Sequence, residues 1–323
     1  MKAAMIEKYG NANAIVLKEI EKPTPKDNEV LIKLKAASLN ASDWEALTGK
    51  PAYVRVFNGW LKPKPTILGS DVAGQVEAVG KDVTQFQPGD EVFGDLLWSD
   101  AGGFAEYVCA RERFITLKPK SLTFEQASAI PQAGALALQG LRDKRQIQPG
   151  QKVLINGAGG GTGTFAVQLA KMFGAEVTGV DSADKFEMLH TLGADHVIDY
   201  RHEDYTKNGK QYDLILDLVA SRSIIAYRRA LKLDGVCVMV GGNSLALLQI
   251  GLIGPRISKK GGKELGLLML KTNPKDLDYL TVLHETNKVS PIIDRCYPLE
   301  QVTEAFHFFG QKRAIGKVVI TIS

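Results

Sequence analysis

One stretch near the middle of the chain carries the plainest chemistry: Ile155-Asn156-Gly157-Ala158-Gly159-Gly160-Gly161-Thr162-Gly163-Thr164. It follows a short apolar run, Lys152 to Ile155, and precedes Thr164 to Phe173, where Phe165, Leu169 and Phe173 repeat at helical spacing. Strand, glycine loop, helix is the setting that holds a dinucleotide. Glycines permit a tight turn and close approach of the backbone to a pyrophosphate. The helix N-terminus adds unbonded N–H groups and the positive end of its dipole. Gly157, Gly160 and Gly163 are spaced in threes, so the loop is not a strict GxGxxG; Gly161 and Thr162 complete the expected phosphate contacts. No GxxxxGK[ST] occurs, so a nucleoside-triphosphate loop is not supported.

The following strand ends at Asp181, 18 residues past Gly163. An acid at that place takes ribose hydroxyls and favours NADH. Ser182, Lys185 and Tyr200 stand where the 2′-phosphate of NADPH would lie. Asp181 and Asp184 would repel that phosphate and Lys185 would attract it. Both cofactors stay open, and capping of the next helix is the plain alternative for Asp181-Ser182. Val219, and the pair Gly241-Gly242, follow the fourth and fifth strands of the same unit. Ligands bind beyond those carboxyl ends, so these residues are expected to wall a nicotinamide pocket.

The elements that must position these residues alternate strand and helix from Lys152 onward. Glu176 to Val180, His196 to Ile198, Tyr212 to Leu218, Val236 to Val240 and Leu265 to Leu270 are the further strands. That rhythm means a parallel sheet of six strands with crossover helices, an α/β doubly wound fold. The first third reads instead as short strands broken by turns, with Val30, Ile32, Leu34 and Ala36 on one face. Near the end, Val302, Ala305, Phe306 and Phe309 form one helix face, and Gly316 to Ile322 is a closing strand. That strand is expected to rejoin the first part. The division is then 1–124 with 288–323 as a β domain, and 125–287 as the dinucleotide-binding domain.

PGQKVLINGAGGGTGTFAVQLAK, LGADHVIDY and PGDEVFG resemble the medium-chain dehydrogenase/reductase superfamily, and LNASDW with LGSDVAGQVEAVG resembles its zinc-free quinone oxidoreductase branch. The resemblance spans nearly the whole chain. It implies a GroES-like β domain beside a Rossmann domain. Zinc-dependent members carry a cysteine and a GHE motif for the metal. Here those regions read Ser38-Leu39-Asn40-Ala41-Ser42-Asp43 and Gly69-Ser70-Asp71, with Ser70 in the histidine's place. Cys109, Cys237 and Cys296 are too few for a four-thiolate site. His190, His196 and His202 read as solvated surface residues. No metal is expected.

Without zinc the chain lacks a Lewis acid for alkoxide formation. Hydride transfer to a quinone or an α,β-unsaturated carbonyl remains feasible, because conjugation stabilises the developing anion. The resemblance puts Asn40 near the nicotinamide and has Asp43 order its loop. Tyr53 is the candidate donor to the acceptor oxygen. Asp71 is read as a support beside Ser70, and Lys317, in a GK pair common to the superfamily, as a surface lysine. A zinc-free alcohol or aldehyde dehydrogenase is the neighbouring alternative. A non-catalytic dinucleotide-binding sensor or structural protein is the alternative of another class. No tyrosine is followed by lysine four residues later, which sets aside a short-chain dehydrogenase.

Composition narrows the rest. The 323 residues are 45% hydrophobic and 24% charged, with 40 Lys+Arg against 36 Asp+Glu, an ordinary globular balance that argues for two cores. So mild a positive charge, without a stripe of basic and aromatic residues, does not suggest nucleic acid. Three scattered cysteines show no disulfide framework. The opening MKAAMIEKYG lacks the apolar core of a signal peptide, so a cytoplasmic protein is expected. The apolar run at 245–257 is too short for a bilayer span; it is read as a pocket-side or homodimer-interface helix, with membrane contact as the minor alternative.

Overall fold

The computed structural model describes residues 1–64, 66–99, 102–242 and 262–323. The apolar run at 245–257 therefore lies outside the described residues. Fifteen strands are described, β1 (Lys2–Ile6), β2 (Ile15–Glu19), β3 (Glu29–Ser38), β4 (Asp71–Val79), β5 (Glu91–Asp95), β6 (Tyr107–Arg111), β7 (Ile115–Leu117), β8 (Lys152–Asn156), β9 (Glu176–Asp181), β10 (His196–Asp199), β11 (Tyr212–Asp217), β12 (Leu231–Met239), β13 (Glu264–Leu267), β14 (Ile293–Pro298) and β15 (Lys317–Thr321).

The chain divides into two compact units. One comprises Met1–Gln132, Thr272–Glu285 and Pro291–Ser323, and the other Ala133–Lys271 with Thr286–Ser290. These bounds differ from the division at 124/125 and 287/288. The helix Phe124–Ser128 packs on β3 and β4 of the first unit. The helix Pro274–Glu285 belongs there too, through Asp278 and Glu285, which accept from Thr116 and Ser121.

The first unit is built on a sheet ordered β14-β15-β3-β4-β5-β7, with β6 paired to β3. β3 is its spine. Its inward residues Val30, Ile32 and Leu34 are fully buried. Phe104 meets Phe306 edge-on at 5.7 Å, which docks the helix Val302–Gly310 on this core. β15 runs antiparallel to β3 with Val319 opposite Ser38, so the C-terminal strand does close the N-terminal sheet. A row of polar residues crosses the ends of these strands. Ser38 pairs with Asp71, and Asp71 with Asp95.

The second unit holds a six-stranded parallel sheet in the order β10-β9-β8-β11-β12-β13. It is a Rossmann sheet. β8 and β11 are neighbours although the chain leaves β8 for β9, so strand order reverses between them. Their carboxyl ends form the crevice where such sheets bind ligands. The strands are apolar because both faces are covered, as in Val153-Leu154-Ile155 and Leu214-Ile215-Leu216, all buried. The helix after β8 spans Gly161–Met172, three residues earlier than its apolar spacing suggests, because its first turn, Gly161-Thr162-Gly163-Thr164, carries no large apolar side chain.

Candidate functional site

The glycine loop leaves β8 at Gly157, whose φ of +85° favours a residue without a side chain. The N–H groups of Gly157 and Ala158 donate to the Val180 carbonyl at 2.9 and 3.1 Å. The loop is thus pinned to β9. A Cβ on Gly163 would lie 2.2 Å from the Gly157 oxygen and 2.5 Å from that of Ala158, so helix and loop touch backbone to backbone. Gly160 caps the helix without a side-chain bond. The N–H groups of Gly161, Thr162 and Gly163 precede the first intrahelical bond, from Thr164 to Gly160. Such free donors at the end of a helix dipole fit a pyrophosphate.

Asp181 is turned toward this loop. Its Oδ2 accepts from the Gly159 N–H at 2.8 Å and its Oδ1 from the Ser182 N–H at 2.9 Å. Lys185 Nζ stands 3.3 Å from the same Oδ1, a buried pair. Ser182 and Lys185 are therefore interior residues, whereas Tyr200 is half exposed, with Arg201 over its ring at 5.7 Å. Ser182 follows the end of β9, and the Tyr200 N–H donates to the Asp181 carbonyl at 3.3 Å.

Asp217, at the end of β11, escaped the sequence reading. It is fully buried. Its Oδ1 accepts from Asn156 Nδ2 at 2.9 Å, Val219 N–H at 2.9 Å and Ala220 N–H at 2.7 Å. Its Oδ2 accepts from the hydroxyls of Tyr205 at 3.0 Å and Tyr227 at 2.8 Å. Burial, and next the Asp217 charge, push both phenols far above their ordinary ionisation, so they remain donors. This hub holds Ala220 at φ +45°. A Cβ on Gly242 would sit 2.5 Å from Ala220 Cβ, which explains a glycine there. Val219, Gly241 and Gly242 are thus gathered at the carboxyl ends of β11 and β12. A polar residue closing the apolar run Leu214-Ile215-Leu216 was the signal that could have found Asp217.

The other candidates lie in the first unit. Asn40 precedes the helix Ala41–Thr48. It is buried, donates from Nδ2 to Ser70 Oγ at 3.2 Å, and accepts at Oδ1 from Lys317 Nζ at 2.5 Å. Lys317 is 2% exposed, which corrects the expectation of a surface lysine. Continuing the Val319–Ser38 register by two residues puts Lys317 opposite Asn40. Its Nζ also reaches Asp71 Oδ2 at 3.3 Å. Asp71 further accepts from Ser38 Oγ at 3.2 Å and the Gln132 N–H at 3.0 Å. Asp43 gives Oδ2 to the Asn40 N–H at 2.8 Å and Oδ1 to the Gly69 N–H at 3.1 Å. Both its oxygens bind backbone, the geometry of a residue that orders two loops. Tyr53 shares no described contact with Asn40 or Asp43; it begins the helix Val54–Asn58, half-buried.

Burial dominates the electrostatics of this row. It pushes Asp43 up to about 7, with the Asp71 charge adding and the Asn40 and Gly69 N–H groups opposing. It pushes Asp95 up to about 8, again aided by Asp71. Asp71 is raised by burial and held down mainly by Lys317. Among the described residues no three His, Cys, Asp or Glu side chains converge as metal ligands would.

Two segments of the chain match families. Residues 26–120 match the alcohol dehydrogenase GroES-like domain, and residues 192–320 the family described as zinc-binding dehydrogenase. The chain is 35% identical over 331 residues to 2-methylene-furan-3-one reductase of Solanum lycopersicum, covering 99% of this chain and 79% of that one. This is a medium-chain dehydrogenase/reductase of the quinone-oxidoreductase-like branch. NADPH-dependent alkenal/one oxidoreductase of Arabidopsis thaliana is 32% identical, again over 99% of this chain and 79% of its own. That relative is named as chloroplastic, in contrast to the cytoplasm expected from the sequence. The quinone oxidoreductase of Coxiella burnetii has the same fold, with a TM-score of 0.90 at 30% identity and coverage of 100% and 99%. No helix among the described residues is long and apolar enough to cross a membrane.

Proposed function

We propose that the chain is an NADPH-preferring, zinc-independent reductase of quinones or α,β-unsaturated carbonyls. The observation that carries the reading is Ser70. It stands where zinc-dependent members place a histidine, and it accepts from Asn40 Nδ2 at 3.2 Å and from Gln132 Nε2 at 3.4 Å. An amide network thus fills the place of a Lewis acid. When bound, the cofactor supplies a hydride. For an enone, that hydride goes to the β-carbon, the electron pair moves onto the carbonyl oxygen, and a proton from water or a side chain completes the α-carbon. Asn40 offers the amide that meets the nicotinamide, Asp43 holds its loop, and Tyr53 is the proposed donor to the substrate oxygen. The free N–H groups of Gly161, Thr162 and Gly163 hold the pyrophosphate. Val219, Gly241 and Gly242 wall the nicotinamide end.

NADPH is favoured over NADH because the Asp181 oxygens already serve Gly159, Ser182 and Lys185. The ion pair with Lys185 also offsets the negative charge a 2′-phosphate would meet. Among the described residues β13 is the last strand of its sheet, which supports a homodimer formed by edge pairing.

The test follows oxidation of NADPH and NADH with a panel of quinones and enones, before and after exhaustive chelation. Acceptor-dependent turnover that survives chelation and is faster with NADPH is expected. No turnover with any acceptor, or its loss on chelation, contradicts the reading.

A further inference from the structure

Lys317 brings a cation into a row where the neighbouring ionisable groups, Asp43, Asp71 and Asp95, are all buried carboxyls. Lysine is rarely buried this completely without a partner. Neutralising Asp71 would account for its charge but not for its aim. The contact to Asp71 is 3.3 Å, while that to the uncharged Asn40 oxygen is 2.5 Å. An amide has two unlike ends, and rotation by half a turn exchanges them. An ammonium has only donors and accepts nothing. It therefore admits Oδ1 and excludes Nδ2. With Oδ1 held, Nδ2 is turned to the opposite side, where it donates to Ser70 at 3.2 Å and the side chain also bonds the Asp71 carboxylate. The other strands of the row support this aim. Asp71 is anchored by Ser38 and the Gln132 N–H, so the ammonium has a fixed post behind it.

We infer that Lys317 is a positioning residue: it decides which end of the Asn40 amide meets the nicotinamide. This deepens the proposed function and rests on the reading that Asn40 serves the cofactor.

K317M alone would strand the Asp71 charge, so the informative protein is K317M/D71N, neutral at both positions and compared with D71N. Both are made in the native and the N40A backgrounds of the full chain. Thermal midpoint, kcat and acceptor KM, and the fluorescence of bound NADPH are measured. The double variant is expected to melt near D71N, to lose about tenfold or more in kcat at little change in KM, and to shift the bound nicotinamide emission. In the N40A background the same change should cost less than about twofold, because the residue it acts through is gone. A folded double variant that keeps the kcat and emission of D71N, while N40A loses activity, overturns the role of Lys317. Equal losses in both backgrounds overturn it as well. An N40A protein with native kcat and emission overturns the reading of Asn40 itself, and the role of Lys317 with it.

Discussion

Among the described residues two carboxylates, Asp71 and Asp217, sit at 0% exposure, one in each unit, and they are kept there by opposite means. Asp217 is surrounded by neutral donors, namely an amide, two phenols and two backbone N–H groups. Its charge is spread over many fixed dipoles and needs no counter-ion. Asp71 has a hydroxyl, one backbone N–H, the Asn40 side chain and the Lys317 ammonium. Its neighbours Asp43 and Asp95 are driven toward the neutral form by burial. The first arrangement is a rigid knot that shapes backbone at a sheet's switch point. The second is a balance of charges and protons that responds to pH and to single substitutions. The difference teaches that burial of an acid does not by itself mark a catalytic group; what its donors are, and what they hold in turn, separates scaffold from site.

The knot should fail hardest. Asp217→Ala leaves Tyr205, Tyr227 and Asn156 without their acceptor at once, and is expected to cost about 4 kcal/mol in chemical denaturation. A loss below about 1 kcal/mol would mean that water or a shifted backbone replaces the carboxylate, and the contrast would collapse. Next comes the loop itself. Gly163→Ala puts a methyl on two carbonyl oxygens, so NADPH binding should weaken by roughly 100-fold, or about 2.7 kcal/mol, in a fluorescence titration. Unchanged affinity would remove the loop from the cofactor site.

The pH response separates the two regions more finely. Asp43 and Asp95 hold protons more tightly folded than unfolded, from 3.8 up to about 7 and about 8. Between those values the native state carries more protons. Stability from these groups is therefore full below about pH 4 and is lost as pH rises to about 8, with a slope near 1.4 kcal/mol per pH unit for each proton so held. Asp95→Asn should flatten that decline and make the variant the more stable protein at pH 8. A profile unaltered by the substitution would show that Asp95 is charged throughout. The smallest effect is expected at the buried Lys185–Asp181 pair. Lys185→Ala should weaken NADPH about tenfold and leave NADH within about twofold, measured as paired dissociation constants. An equal loss for both cofactors would reassign Lys185 to support of the glycine loop through Asp181.

What was legible in the sequence was what local spacing encodes. The glycine loop, its flanking strand and helix, and the alternation that makes a six-stranded parallel sheet are all set by neighbours within a few residues. Asp181 was found by its distance from the loop, but not its turn back onto Gly159, which depends on how β9 lies beside β8. Lys317 was misread for a longer-range reason. Its partner Asn40 is 277 positions away, joined only when β15 pairs with β3. A lysine at a strand start gives no hint of which strand it will face. Asp217 failed differently: its place at the end of an apolar strand was visible, but its donors come from three separate segments.

The central claim is that this chain passes hydride from a bound nicotinamide to a conjugated acceptor without zinc. Its most direct test is a single turnover of chelated enzyme with NADPH deuterated at the transferred C4 position and an enone, with the product read by mass spectrometry and NMR. One deuterium at the β-carbon of the saturated ketone is the predicted result. Product without deuterium, or no product until zinc is restored, would contradict the account.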